Sequence, residues 1–419
     1  MPESSPPTLS MSGAHRDTKY WQRRAWAYAM AAVLGYALLT LPILTRHKFD
    51  PSIFIHGGDR FIDATQLVSP IIVHPNSDGY DGQFFYRMAL SPFQLNPSAF
   101  GIRLDAPAYR TQRIFYPLLV WVTTFGHAAF VPVAMYLVNL VGLAAVAWFG
   151  TRLTARLELP AWIPLVIMLW PGFVVALTHD TAEIVAAAFL LGAVYSYFAK
   201  RLFAYAVLGA LSTLTRQTTL PVLFGLACFE VIQAIRPDRT DSRWHRTLIC
   251  ALPLAAFPLW LAILHWVLGY PAQERTNLLG WPFLGVAAVL RDTLIGAKHF
   301  VQPDRPTLDA VVRAYVVGSI CWLLGFCAVV VARVPAVLRM GGTGALATGW
   351  LPALALMSLM TARGGWVDQT GYFRAFTECY VVGCLVLAVR PVPRWVAWIM
   401  LAGAALALLG AWVLAIGER

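Results

Sequence analysis

Residues 130–149 read FVPVAMYLVNLVGLAAVAWF, twenty consecutive residues without a charged side chain. A run of about 20 apolar residues is what an α-helix needs to cross the hydrocarbon core of a bilayer. The run shows no strict alternation of apolar and polar residues, which is the pattern of a membrane-spanning β-strand. This stretch therefore predicts a transmembrane helix and, with similar runs elsewhere, an all-α membrane fold.

The composition of the whole chain supports this prediction. Of its 419 residues, 58% are hydrophobic and only 13% are charged, and the mean hydropathy is +0.63. A soluble chain of this length needs far more charge to cover its surface. We therefore expect a polytopic membrane protein with about eleven transmembrane helices.

The distribution of lysine and arginine predicts the orientation of the chain. Four basic residues precede the first span, at about 25–45, so the positive-inside rule places a cytoplasmic tail at 1–24. No small-residue cleavage site follows this span, which indicates a retained anchor. Residues 25–419 then form one transmembrane domain with two long external segments, 46–129 and 269–308. The short apolar run Ile114–Phe125 predicts a juxtamembrane helix within the first external segment.

The formal net charge of +11 has two interpretations. A basic protein often binds nucleic acid. In a polytopic chain, however, the positive-inside rule and contacts to anionic lipid account for the excess. We therefore expect membrane lipids as partners, no nucleic acid, and a multi-pass location in the inner (plasma) membrane of the cell.

Residues 76–119 form the most polar stretch of the apolar chain, NSDGYDGQFFYRMALSPFQLNPSAFGIRLDAPAYRTQRIFYPLL. In it, Asp81 stands at a glycine-bearing turn and is followed by aromatic residues. At the boundary between water and lipid, partial desolvation raises the basicity of such a carboxylate, which suits a general base. Alternatively, Asp81 caps a helix N-terminus. Whether Asp59 or Asp81 is the base stays open.

Arginines follow in the same stretch. Arg103, Arg110 and Arg113 precede the run IFYPLLVW. Arginines at this depth commonly anchor a protein to lipid headgroups. The functional alternative is binding of a lipid-linked phosphate, which needs fixed cations at headgroup depth.

Further polar and ionisable side chains stand at span ends on the predicted external side. They are His179, Asp180, Glu183, Arg216, Gln217, Arg363, Asp368, Tyr372, Arg374 and Glu378. Ionisable residues at membrane depth are energetically unfavourable, so their concentration on one side predicts a functional site there. Asp180 and Glu183 have an alternative role, because acids in a first helical turn complement the helix dipole. Arg216 and Arg374 either pair with these carboxylates or bind a phosphate.

The segment YDGQFFY at 80–86 and the motif GYFRAF around Arg374 resemble those of the glycosyltransferase C superfamily. The general layout is also similar: a cytoplasmic N-terminus, a long first external loop with an early acidic residue, juxtamembrane helices and many spans. These membrane enzymes use polyprenyl-phosphate sugars. The resemblance implies transfer of a hexosyl group from such a donor to a lipid-linked or cell-envelope acceptor, with inversion at the anomeric carbon.

The resemblance also suggests roles for the candidate residues. Asp81 is then the catalytic base, and the other candidates bind substrate. They are Arg216 and Arg374 for the donor phosphate, assisted by Arg110 or Arg113, then Asp180, and Tyr86, Trp366 and Tyr372, whose rings suit stacking on sugars. The first loop has no D-x-D or E-x-D pair, so the sequence does not support a divalent metal, although it does not exclude one, and it indicates no other cofactor. The six cysteines lie in apolar runs without metal-ligand spacing.

Two other classes of function remain. A transporter or flippase of lipid-linked glycans would favour internal repeats and polar residues in broken helices near the middle of the membrane. A non-enzymatic envelope-assembly protein would not need Arg216 or Arg374 in apolar surroundings. The chain has no P-loop, no dinucleotide-binding glycine motif and no nucleophile elbow, so an energy-rich substrate has to arrive through the membrane.

Overall fold

The computed structural model describes residues 11–94, 96–236, 244–270, 277–297, 306–362, 364–366 and 369–417. Most of these residues are helical. Their α-helices are α1 (Met11–Arg46), α2 (Asp81–Leu90), α3 (Pro107–Thr111), α4 (Phe115–Thr124), α5 (Val131–Arg156), α6 (Ile163–Met168), α7 (Pro171–Thr178), α8 (Glu183–Phe198), α9 (Leu202–Thr215), α10 (Leu220–Ala234), α11 (Trp244–Leu268), α12 (Leu284–Leu294), α13 (Pro306–Leu338), α14 (Gly344–Leu359), α15 (Gln369–Ala375), α16 (Thr377–Ala388) and α17 (Arg394–Gly417).

The segment between α1 and α3 is ordered by short strands and turns. Strand β1 (Gly57–Gly58) pairs in parallel with β2 (Val73–His74), and β3 (Ser98–Ala99) pairs antiparallel with β4 (Ile102–Arg103). A bridge between Ile62 and Ile102 connects the two regions. Short 3₁₀ turns lie at Pro51–Ile55, Ala64–Gln66, Ala128–Phe130, Gln217–Thr219 and Gly341–Thr343.

Helix length and composition identify a multi-pass membrane protein, as predicted. Among the described residues, seven helices are long and apolar enough to cross a membrane, and α15 with α16, bent by 54°, forms an eighth if the pair is one span. The seven are Arg23–Arg46, Ala128–Arg156, Gln217–Ala234, Trp244–Val267, Thr307–Leu338, Gly341–Leu359 and Arg394–Gly417. The predicted count of about eleven is therefore not confirmed.

The difference in span count has a local cause. The apolar run at 162–178, which the predicted count of about eleven includes as one span, is divided into α6 and α7, because Pro171 disfavours helical backbone at Trp170, whose ψ is 120°. Helices α8 and α9 have only 16 and 14 residues. Helix α4, ten residues long, occupies the run predicted to be juxtamembrane.

The core of the bundle surrounds α8 and α16. All twelve residues of α16 are buried, and α5 packs against both α1 and α8. The outer helices α1, α11 and α17 instead expose large apolar side chains such as Leu34, Trp266 and Trp398. Exposed apolar surface of this extent is typical of contact with lipid. Of the two long segments predicted to be external, the first is described except for Leu95, whereas 271–276 and 298–305 of the second lie outside the described residues.

Candidate functional site

Three helices carry an acidic residue in their first turn and point these ends at one group of arginines. Asp81 is the first residue of α2, Glu183 the first of α8, and Glu378 the second of α16. Each carboxylate in a first turn is stabilised by the helix dipole. The residues that meet here are called the charged cluster, which comprises Asp81, Asp105, Arg110, Arg113, Glu183, Arg216, Arg374 and Glu378.

Asp81 contacts three guanidinium groups. Its Oδ1 lies 2.6 Å from Nη1 of Arg110, and its Oδ2 lies 2.8 Å from Nη2 of Arg374 and 3.8 Å from Nη1 of Arg113. The N-cap residue of α2 is Tyr80, whose side chain makes no capping hydrogen bond, and Asp81 is the first helical residue, so Asp81 does not act as the helix cap. The Asp81 side chain is 21% exposed, whereas those of the three arginines are 6–8% exposed. Asp81 therefore lies on the outer side of the cluster.

The electrostatic environment keeps Asp81 ionised. Burial alone raises the pKa of this carboxyl, but the charges of Arg110, Arg374 and Arg113 outweigh burial and hold its pKa well below the usual range. Burial lowers the pKa of Arg110, and the neighbouring carboxylates Asp81 and Asp105 raise it by more. As long as these contacts persist, Asp81 is a carboxylate at neutral pH and a weak proton acceptor.

The inner layer of the cluster is more deeply buried. Glu183, with a side chain 1% exposed, lies 2.7 Å from Nη2 of Arg374 and 3.5 Å from Nη2 of Arg216. Nη1 of Arg216 lies 3.6 Å from Glu378 and donates to the main-chain carbonyl of Arg374 at 2.6 Å. Thr218 donates to Glu378 at 2.8 Å. Carboxylates are thus partners of both Arg216 and Arg374, as the structural alternative predicts.

Aromatic rings lie against the three guanidinium groups that contact Asp81. The pairs are Arg110 over Phe84, Arg113 over Tyr109 and Arg374 over Tyr80, with distances from Cζ to the ring centroid of 4.4, 4.6 and 5.0 Å. Stacking on a ring face favours a cation and restricts its orientation. The Tyr80 hydroxyl in turn donates to Thr370 at 3.0 Å. The rings therefore help to hold the arginines where Asp81 meets them.

Glycine permits the close approach of α2 to the turn between α7 and α8. A Cβ atom on Gly82 would lie 2.4 Å from the carbonyl oxygen of His179 and 2.6 Å from that of Ile55. Both distances are far below ordinary van der Waals contact, so residue 82 has to lack a side chain for this packing. The glycine thereby brings Asp81, the residue before it, and Glu183, four residues after His179, towards the same arginines.

The structure places the predicted arginines differently from a headgroup anchor. Arg110 and Arg113 are 5% and 6% exposed and lie inside the charged cluster. Arg103 is exposed and stacks on Phe61 at 5.7 Å instead. Of the polar residues predicted at span ends, Glu183, Arg216, Arg374 and Glu378 meet in the charged cluster, and Gln217 accepts a hydrogen bond from Arg113 at 3.3 Å. Arg363 and Asp368, which belonged to that prediction, lie outside the described residues.

Three other predicted substrate-binding residues are buried. Tyr86 and Tyr372 are both 0% exposed, and the Tyr372 hydroxyl is 2.5 Å from that of Ser319. Neither ring has an open face for stacking on a sugar in this structure. Asp180 is also 0% exposed and has a left-handed backbone, with φ of 45°. A substrate would reach these three residues only after the surrounding side chains move.

The alternative base and its neighbour belong to the loop surface. Asp59 accepts hydrogen bonds from the main-chain N–H groups of Asn76 at 2.8 Å and Ser77 at 3.1 Å, and these bonds lower its pKa. Asp78 pairs with Arg60 at 3.0 Å, and both side chains are more than 60% exposed. Of Asp59 and Asp81, it is therefore Asp81 that belongs to the charged cluster.

Sequence reasoning gave no role to Asp105. Its two carboxylate oxygens accept from Nε and Nη2 of Arg110 at 2.7 and 2.8 Å, a bidentate pair. The available signal was its position five residues before Arg110, just ahead of the proline that begins α3. Within the described residues, no group of three or more His, Cys, Asp and Glu is arranged to hold a metal ion.

No protein-family model, no characterised protein and no solved structure matches the chain. The resemblance to the glycosyltransferase C superfamily therefore stays a prediction that depends on the residues quoted for it.

Proposed function

We propose that the protein is a membrane glycosyltransferase that moves a hexosyl group from a polyprenyl-phosphate donor to a lipid-linked or cell-envelope acceptor. The observation that supports this most is the environment of Asp81, a partly exposed carboxylate among three buried guanidinium groups. Transfer of this kind needs a carboxylate to accept a proton from the acceptor and fixed cations to stabilise the departing phosphate. Both requirements are met by neighbouring side chains.

The proposed reaction is a single displacement. Asp81 accepts the proton of an acceptor hydroxyl as its oxygen attacks the anomeric carbon. The bond between that carbon and the phosphate oxygen breaks, and the polyprenyl phosphate leaves with the bonding electron pair. One displacement inverts the configuration at the anomeric carbon.

The arginines divide into two groups by their depth. Arg110, Arg113 and Arg374 contact Asp81 and are the candidates for direct contact with the donor phosphate. Arg216 does not contact Asp81. It donates a hydrogen bond to the Arg374 main-chain carbonyl and forms an ion pair with the deeply buried Glu183. We therefore assign Arg216 a positioning role, with the phosphate bound by the outer three.

We propose that this chemistry takes place on the external face of the inner membrane. Support comes from the positive-inside rule. The rule predicts that the basic N-terminal tail and the loop with four arginines at 236, 239, 243 and 246 lie in the cytoplasm, and that the first external segment, which carries Asp81, lies on the opposite side. A polyprenyl-linked donor is consistent with this location, because it carries its leaving group within the membrane.

The direct test is reconstitution of the full chain in proteoliposomes with synthetic polyprenyl-phosphate hexoses and an extract of envelope lipids as acceptors. A new glycosidic product, absent with Asp81→Asn, is expected in mass spectra. Lipid-linked glycan profiles of a deletion strain identify the missing sugar. Movement of a lipid-linked glycan across the bilayer without a new glycosidic bond would instead favour the flippase, and neither activity with any donor would favour an assembly protein.

A further inference from the structure

We propose that Arg110, Arg113 and Arg374 form a phosphate-binding site and that the Asp81 carboxylate acts as an internal substitute for the phosphate until substrate displaces it. The inference rests on the proposed function for the identity of its ligand, the phosphate ester of a lipid-linked substrate. It adds to that function a competition between a catalytic residue and the substrate for the same cations.

The geometry of Asp81 is that of a bound anion. Its two oxygens are shared between arginines from separate parts of the chain, with Oδ1 on Arg110 and Oδ2 on Arg374 and, at longer range, Arg113. The non-bridging oxygens of a phosphate monoester or diester accept from guanidinium groups in the same way. A phosphate at this position would therefore use the N–H groups that Asp81 uses now.

Asp81 is the carboxylate of the cluster that is released most easily. Asp105 accepts hydrogen bonds from one arginine, Arg110, through both carboxylate oxygens. Glu183 is 1% exposed at the start of a core helix. Asp81 instead makes one close contact to each of two arginines and is 21% exposed. It also belongs to α2, which lies in the segment between the first two long apolar helices.

Release of Asp81 leaves both close partners held in place. Arg110 keeps its bidentate bond to Asp105, and Arg374 keeps Glu183 at 2.7 Å. The cations are therefore positioned by one set of carboxylates while another carboxylate leaves. Exchange of Asp81 for a phosphate also avoids adding an unbalanced negative charge to the buried cluster.

The exchange links substrate binding to catalysis. While it contacts three guanidinium groups, Asp81 is strongly stabilised as an anion and accepts a proton poorly. After displacement by the phosphate, those cations are neutralised by the substrate, and the free carboxylate lies beside the reacting centre. Asp81 then gains basicity only when a donor is bound.

The test measures phosphate binding by the full chain in lipid nanodiscs, using inorganic phosphate and citronellyl phosphate, a short prenyl phosphate, as probes. Asp81→Asn removes the competing charge, so affinity for citronellyl phosphate should rise by about ten- to hundredfold, the range of one charge-assisted hydrogen bond. The control Asp78→Asn removes an exposed carboxylate three residues away and should bind as the wild type does. Unchanged or weaker binding by Asp81→Asn overturns the proposal.

A second variant covers the case in which Asp81→Asn does not fold. Asp81→Cys, with the exposed Cys321 replaced by Ser, is purified with phosphate present and then treated with iodoacetate or iodoacetamide. The two products have nearly the same size, but only the first restores a carboxylate. The carboxymethyl product should bind citronellyl phosphate at least about tenfold more weakly than the amide product. Equal affinities would reject the competition.

The outcomes separate this inference from the proposed function. Loss of glycosyl transfer in Asp81→Asn without a gain in phosphate affinity keeps the transferase and rejects the competition. A gain in affinity in a protein that transfers no sugar keeps the competition and rejects the transferase. Tighter binding of citronellyl phosphate than of inorganic phosphate identifies a lipid phosphate as the ligand, and the reverse order identifies a free anion.

Discussion

Arg374 and Asp81 are 293 positions apart in the chain, yet Nη2 of Arg374 donates to Oδ2 of Asp81 at 2.8 Å. The bond connects the segment between the first two long apolar helices to α15, close to the C-terminal end of the bundle. The local sequence does not favour a charged side chain at either position, because the protein is largely apolar. The contact instead depends on α2, α3, α8 and α15 meeting at one point.

Asp81→Asn is the primary test of the catalytic assignment. Because an amide does not accept the acceptor proton, turnover should fall by ~10²-fold or more while the protein stays folded in the membrane. Asp78→Asn is the control, since exposed pairs contribute little, and its turnover should stay within about twofold of the wild type. Near-normal turnover in Asp81→Asn would move the base role to Asp59 or Asp180.

Gly82→Ala tests the close approach of α2 to the α7–α8 turn. The new Cβ would lie 2.4 Å from the His179 carbonyl oxygen, so α2 has to shift and carry Asp81 with it. We expect a loss of about 1–3 kcal/mol in stability and a clear loss of turnover. Gly35→Ala is the matched control, because its Cβ meets no atom within 4 Å. If both variants behave alike, the packing at Gly82 does not position Asp81.

The fold class was predictable because a helix that crosses a bilayer needs a minimum length and an apolar composition, and both can be read from the sequence. Runs such as 130–149 need no tertiary information to be recognised as helices. The span count was not predictable in the same way. Whether the run at 162–178 crosses in one piece depends on how Trp170 and Pro171 pack, and an apolar composition alone does not report it.

The charged cluster was predictable only in part. Charged residues at the ends of apolar runs already indicated Arg216 and Arg374, because such residues are rare at membrane depth. Whether an aromatic ring is exposed for stacking on a sugar depends on tertiary packing, which the sequence does not give. Tyr86 and Tyr372 are core residues in the structure. The role of Asp105 was not predicted, because a separation of five residues from Arg110 does not show that the two side chains pair. The pairing is visible only in the distances between their atoms.

The stability of the protein in acid tests the pairing of Asp81. Its pKa in the folded protein is well below the usual value, so the stabilisation from its charge is complete above about pH 4 and is lost as pH falls towards the folded pKa. The stability difference between wild type and Asp81→Asn should therefore shrink below about pH 4. Thermal unfolding in nanodiscs between pH 3 and pH 7 measures it. A difference that is constant over this range would contradict the pairing.

Cysteine labelling tests the predicted topology. Ser98→Cys lies in the first segment predicted to be external, at an exposed position, and Ser242→Cys lies in a predicted cytoplasmic loop outside the described residues. In a background with Cys321→Ser, a membrane-impermeant maleimide added to whole cells should label position 98 alone. After the cells are opened, position 242 should react as well. Equal reaction from one side at both positions would reject the orientation.

Lysine substitutions distinguish a phosphate ligand from a structural pair at Arg374 and Arg216. Lysine keeps the charge but loses the planar fork, so Arg374→Lys should weaken donor binding if Arg374 contacts the phosphate. Arg216 lies behind Arg374, so Arg216→Lys should mainly lower stability. Donor affinity and thermal stability are measured together for both variants.

The stability of the pair between Arg374 and Glu183 gives the corresponding control. Removing one partner of a buried pair costs about 3–5 kcal/mol, because the other charge is left unpaired, and removing both costs much less. We therefore expect Arg374→Gln and Glu183→Gln each to be less stable than the double variant. Donor affinity unchanged in Arg374→Lys and Arg216→Lys, with stability reduced in both, would show that these arginines hold the protein together and do not bind the substrate phosphate.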